Sequence, residues 1–321
     1  MRVHLPNSAF LGNLDSFLRG FDPDNPETLE ITANLRWISV HPFVLSMIAA
    51  LGQRVKPKNI HAEKFEAKSR HYLVRMGLFK YLGLQTEDIS IIEHESAGRF
   101  IPLTRIQTSE ELTNCVTEMI PLLHLEPEQA KTIAYVVSEL VRNTLEHAAT
   151  PDGAILCAQY YKKSNSIRIG IADNGIGIKS AINRSYNSRT DLEAIQLALT
   201  PGITGTTRKE GGTELNAGAG LFFIKSIASV NRDFFVVYSG NGFYKLLKNP
   251  KLKKLRLHAN PFDDRHSKSS DLPRWQGTVV GIDIALDQTD KFSGLLDAIG
   301  STYTTAVRER KKARYKKPRF I

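Results

Sequence analysis

The chain has 321 residues, 41% hydrophobic and 24% charged, which excludes a disordered polypeptide and gives enough length to bury a full core, over two domains rather than one. Its longest apolar stretch, 38–51, is too short for a bilayer and contains His41, and MRVHLPNSAF lacks the basic-then-apolar order of a signal peptide, so a cytoplasmic protein with no membrane partner is expected. The net charge of +10 is concentrated: residues 308–319 hold eight Lys/Arg against Glu309, and 245–256 holds six bases and no acid.

In chain order, 22–27 is a loop with two prolines, and 29–40 reads as strand from its β-branched residues and partial alternation. Pro42 then opens an apolar helix over 43–51. A turn at 56–60 leads to another strand, and a helix over 69–79 closes at Tyr81-Leu82-Gly83. This β-α-β-α order predicts a small α/β domain over 1–105. Beyond a boundary at 102–107, Thr108 and Glu111 form a capping box for the next helix, and Pro127 opens a long one over 126–149. Strands follow at 153–161 and 166–172. A hairpin over 233–247 turns at Ser239-Gly240-Asn241-Gly242, and a last strand runs over 278–286. The polar, Gly-rich stretch 187–217 reads as a long mobile loop, of the kind that serves as a lid. Cys115 and Cys157 match no metal-ligand spacing and read as reduced core residues.

Three segments carry candidate chemistry. Glu139, Asn143 and His147 recur every four residues and line one stripe of the long helix, with Ile133, Val136, Val137, Leu140 and Val141 on other faces. Such a stripe can simply face solvent. A carboxylate one turn from an amide also suits a base beside a hydrated Mg²⁺ ion. Asp173-Asn174-Gly175-Ile176-Gly177 follows a strand. It is good turn chemistry, and an Asp there could also accept a hydrogen bond from an exocyclic amine. Gly218-Ala219-Gly220-Leu221 immediately precedes an amphipathic helix, where backbone N–H groups can approach phosphate; a hinge is the bland reading. No H-E-x-x-H, G-x-x-x-x-G-K-[ST] or G-x-S-x-G pattern competes.

Taken in order, Glu-x-x-x-Asn, Asp-x-Gly-x-Gly, Gly-x-Gly-Leu and Gly277-Thr278 resemble the four boxes of the GHKL (histidine-kinase-like) ATPases over about residues 109–287. The resemblance implies a Bergerat-type α/β sandwich with a mixed sheet over 106–290, binding ATP and Mg²⁺. It implies Glu139 as catalytic base, Asn143 as Mg²⁺ ligand, and Asp173 as acceptor for the adenine amine within a loop that includes Gly175. Gly177 would pack on the base, Gly218 and Gly220 would cradle phosphates ahead of Leu221, and Thr278 would support the adenine end through water. Arg142 and Asn174 would play supporting parts. The segment 27–85 is similar, at low specificity, to a degenerate STAS domain, with His41-Pro42 where such antagonists carry a phosphorylatable Ser; a docking or dimerising role is therefore expected for it.

Within the class, a sensor kinase would need an acceptor histidine on a dimerising helix. The nearest candidate, His94, lies in a segment without a heptad pattern. Too few residues follow the last strand for a transducer domain. The anti-sigma-factor serine kinases, with Glu, Asn and His at the same spacing, are the branch that the chain most resembles. The expected function is that of an ATP-dependent regulator which hydrolyses ATP or passes its γ-phosphate to a protein partner; a non-catalytic, ATP-gated interaction module is the alternative. A protein partner would dock through the N-terminal domain or the lid, and a homodimer is compatible with this. The basic tail over 291–321 reads as a solvated tail first and as a contact for nucleic acid, an acidic partner or anionic lipid second.

Overall fold

The computed structural model describes residues 1–34, 38–62, 67–84, 100–205, 219–248, 257–288 and 292–315. The N-terminal unit comprises β1 (Arg2–Leu5), β2 (Ser8–Ala9), α1 (Asp15–Arg19), β3 (Leu29–Ala33), β4 (Ser39–Val40), α2 (Pro42–Gln53), β5 (Ile60–Ala62), α3 (Ala67–Arg75) and α4 (Leu78–Leu82). Strands β1, β3 and β5 form a parallel sheet in that order, and β2 pairs with β4, also in parallel. Pro42 occupies the first turn of α2 as predicted. His41 is its N-cap, accepting from Phe43 N through Nδ1 at 2.9 Å. The helix expected over 69–79 is broken at Gly77, which takes a left-handed φ of 80° between α3 and α4.

The larger sheet contains β6 (Phe100–Ile106), β7 (Ala154–Tyr161), β8 (Ser166–Asp173), β9 (Phe235–Gly240), β10 (Gly242–Leu246), β11 (His266–Ser269) and β12 (Trp275–Ala285). Their spatial order is β11-β10-β9-β12-β8-β7-β6. Every neighbouring pair is antiparallel, so the mixed sheet expected from the resemblance is not what forms. Tight connections fix this: β9 turns into β10 at Gly240-Asn241, β7 into β8 over 162–165, and β12 then inserts between β8 and β9. The domain boundary expected at residue 105 falls inside β6.

Helices α5 (Ser109–Asn114), α6 (Pro127–His147), α7 (Gly177–Ile182), α8 (Asp191–Ala198), α9 (Gly220–Val230) and α10 (Phe292–Tyr315) complete the chain. Two expectations change here. The stretch from 187 is not structureless, because Thr190 caps α8 by accepting from Glu193 N at 3.1 Å; the rest of the expected lid, 206–217, lies outside the described residues. The C-terminal segment is not a loose tail through 315. It is a helix packed on α6 and α9 that buries Ile299 and Val307 and sets Tyr303 against Phe222 and Phe223, leaving Arg308, Lys311 and Lys312 exposed. His94 and residues 316–321 lie outside the described residues.

Strand periodicity sends alternate side chains of the large sheet to opposite layers. Ile167, Ile169 and Ile171 of β8 and Val280, Ile282 and Ile284 of β12 join one core with Ile133, Val137 and Leu140 of α6 and Ile227 of α9. Ala172 of β8, Cys157 of β7, Tyr238 of β9 and Val279 of β12 join another with Phe43, Val44 and Met47 of α2. The sheet is thus the middle of three layers, with the N-terminal unit against the face away from α6. Cys115 and Cys157 are both buried and unpaired. Among the described residues no helix is long and apolar enough to cross a membrane.

Candidate functional site

Between α6, α7, α9 and the sheet lies a cavity of about 340 Å³, within the range that small-molecule sites occupy. The stripe of α6 forms one wall: Glu139, Asn143 and His147 all line it, and so does Tyr135, one turn before Glu139 on the same stripe. The floor is the sheet, with Ile171 and Asp173 of β8 opposite Thr278 and Val280 of β12. Ile178, Ala181 and Ile182 of α7 add an apolar side.

Asp173 ends β8, where the strand's alternation turns it toward α6, and it is 4% exposed. Its Oδ1 accepts from Gly175 N at 2.8 Å and Thr278 N at 3.3 Å. Burial raises its pKa to about 7 against those two bonds, so it is a poorly solvated acceptor facing the cavity. Gly177, at φ 77°, passes so close to Ser239 that a Cβ would lie 3.1 Å from Ser239 Oγ. Ser239 Oγ donates to Gly277 O at 2.7 Å and accepts from Ile178 N at 2.9 Å and from Thr278 Oγ1 at 3.3 Å. One buried hydroxyl thereby joins β9, β12 and the start of α7 behind the floor. Gly175 does not line the cavity. Its backbone presses on the end of α6, where a Cβ would come within 2.1 Å of Ala148 O.

At the other end, α9 begins at Gly220 against the middle of α6. A Cβ there would stand 2.8 Å from Glu139 Oε2 and 3.3 Å from Asn143 Nδ2. Asn143 Nδ2 is buried with no hydrogen-bond partner in the protein, which leaves a donor at the cavity wall for a water or a ligand. Glu139 is half-buried. Burial raises its pKa, opposed by Arg142, whose Nη1 lies 3.3 Å from Glu139 Oε1. Leu221 lines the cavity beside Gly220, and Gly218 lies outside the described residues.

The residues present fit a nucleotide with its metal. A buried acceptor stands at one end between apolar walls, and an unpartnered amide, a carboxylate and a side-chain-free helix start stand at the other. No group of three or more His, Cys, Asp or Glu able to hold a metal occurs among the described residues. Glu139, Asn143, Asp173, Gly177, Gly220, Leu221 and Thr278 are brought together. Ser239 reads in the sequence as turn chemistry alone, with no sign of its place behind the floor. Tyr135 could have been found by extending the i, i+4 stripe one step back. No family model matches the chain, and no curated protein matches it.

Proposed function

We propose that this chain binds Mg-ATP in the cavity and turns it over, as a regulatory ATPase or protein kinase of the GHKL type. The observation that carries this is the meeting of Glu139, Asn143 and Gly220, where a Cβ on residue 220 would stand 2.8 Å from the Glu139 carboxylate and displace it. Asp173 would accept from the exocyclic amine, Ile171, Ile178 and Val280 would enclose the base, and Gly177 would leave it room. The Gly220 end of α9 would face phosphate with backbone N–H groups, and Asn143 would give the metal its amide oxygen. Mg-ATP supplies an electrophilic γ-phosphoryl group. Glu139, partly desolvated, is the base available to a water or a protein hydroxyl.

Calorimetry should detect Mg-ATP binding, and γ-labelled ATP should release phosphate or label a protein. Glu139→Ala should retain binding and lose turnover by at least about a hundredfold. Wild-type protein that binds no Mg-ATP would refute the reading. The Arg142–Glu139 ion pair supports a second one, in which the carboxylate is held as a structural partner and ATP only gates an interaction. Binding without turnover in the wild type would select it.

A further inference from the structure

The loop after β8 is tied to three parts of the chain. Gly175 O accepts from Gln276 Nε2 at the start of β12, at 2.6 Å. Ile176 N donates to Ala148 O, just past α6, at 2.8 Å. The third tie comes from the N-terminal unit, through Asn174. Its Nδ2 donates to Ala50 O at 2.7 Å and to Gln53 Oε1 at 3.4 Å, both in the last turns of α2. Gln53 spends its own Nε2 on Tyr81 Oη of α4, at 2.7 Å. That bond leaves Oε1 as the end facing Asn174, so both protons of the Asn174 amide have acceptors.

Helix α2 reaches this point as a strut along β8. At its start, a Cβ on Gly170 would come within 2.2 Å of Phe43 N, and Ser46 Oγ donates to Gly170 O at 2.9 Å. From residue 43 to residue 53 a helix covers about 15 Å, and from 170 to 174 a strand covers about 13 Å, so the last turn of α2 ends where the loop of Asp173 begins. The same turn is jammed against α4: a Cβ on Gly52 would lie 2.2 Å from Leu82 Cδ2. Neither Gln53 nor Tyr81 lines the cavity.

We propose that Gln53 and Asn174 are positioning residues for the cavity, through which the N-terminal unit, from Tyr81 onward, sets the conformation of the 173–177 loop and hence the affinity of the site. Asn174 stands between Asp173, the buried acceptor, and Gly175, whose N–H holds that acceptor's Oδ1. Release of the Asn174 amide lets the Gly175 N–H turn away, and the carboxylate loses one of its two backbone donors. Whatever occupies or displaces α4 or the end of α2 therefore acts on nucleotide binding, and by linkage nucleotide steadies the end of α2.

Gln53→Glu, Gln53→Met and Tyr81→Phe, made in the full chain, test this. Glu keeps an acceptor for Asn174 and can accept a hydrogen bond from the Tyr81 hydroxyl, whereas Met fills similar space with no carbonyl or carboxylate acceptor. Two quantities are measured on variants that melt as folded proteins: hydrogen exchange of the Gly175 and Ile176 amides without nucleotide, and Mg-ATP affinity. Gln53→Met and Tyr81→Phe should speed exchange and weaken binding about five- to tenfold each, with Gln53→Glu within about twofold of wild type. Gln53→Met behaving as wild type in exchange, or Gln53→Glu impaired as much as Gln53→Met, overturns the proposal. The binding arm rests on the nucleotide reading, but the exchange arm does not. Faster exchange in the variants of a chain that binds no Mg-ATP would leave the positioning role standing and remove the proposed function alone.

Discussion

Gly220 and Asp173 mark the two ends of the cavity, and each yields a separable outcome. Gly220→Ala places a methyl group 2.8 Å from Glu139 Oε2 and 3.3 Å from Asn143 Nδ2. Residue 220 opens a helix, where Ala is well tolerated, so thermal melting should change little while Mg-ATP affinity falls at least about tenfold. Asp173 titrates at about 7 when folded against 3.8 ordinarily, because burial disfavours its charge. The folded chain holds this proton more tightly than the unfolded one. The group's contribution to stability is therefore full below pH 3.8 and is lost as pH climbs through about 7. Melting curves of Asp173→Asn should lack that decline, while wild-type Mg-ATP affinity rises with pH through the same midpoint as the carboxylate forms. Asp173, Glu139 and Asn143 are legible as residues of one cavity because each sits in a short run with its own backbone signature. Ser239 is not, because its role depends on β9 lying beside β12, a pairing of distant strands that no local pattern encodes.

Among the elements, the fate of His41 shows how a correct boundary can carry a wrong emphasis. Its place before Pro42 suggests a missing phosphorylation site. In the fold it is a buried N-cap whose Nδ1 accepts from Phe43 N while Nε2 donates to Asp283 Oδ1 of β12 at 3.0 Å. Protonation at Nδ1 would end the bond from Phe43 N, so only the neutral ring makes both bonds at once; burial lowers its pKa, with Asp283 opposing. The stabilisation is present above the ordinary 6.5 and is lost as pH falls below it. His41→Asn can still cap α2 but cannot reach Asp283, whereas His41→Ala loses both bonds. Denaturant unfolding should show a loss of about 1–2 kcal/mol for Asn and about 3 for Ala. Strands β7 to β10 and β12 announce themselves through apolar runs between turns. At Thr108 the expected capping box forms only by half, since Thr108 accepts from Glu111 N while the Glu111 carboxylate accepts from Gln107 N; Thr190 and Glu193 repeat that pattern at α8, which the glycines beyond it make read as part of one long loop. In α10 the run of lysines and arginines hid an apolar stripe, Ile299, Tyr303 and Val307, spaced every four residues.

At the scale of the molecule, both faces of the large sheet are covered, which no single strand reveals. Residues of β7, β8, β9 and β12 share a core with Phe43, Val44 and Met47 of α2 and with Trp275. Removing residues 1–99 would bare Cys157, Ala172, Tyr238 and Val279 as one apolar patch. Expressed from residue 100 onward, the segment carrying the cavity should be insoluble or bind hydrophobic dyes; a monomeric fragment with wild-type melting would contradict this. The depth of α2 also has a consequence for how the chain is made. Residues 42–51 are all buried, yet the strands that cover them, β7 and β8, are translated about a hundred residues later, and Asp283, the partner of its cap, lies 242 residues from His41. A ribosome adding about 10 residues per second holds this apolar helix in the open for roughly ten seconds before its first covering strands emerge. Nascent-chain crosslinking to chaperones should peak over that interval.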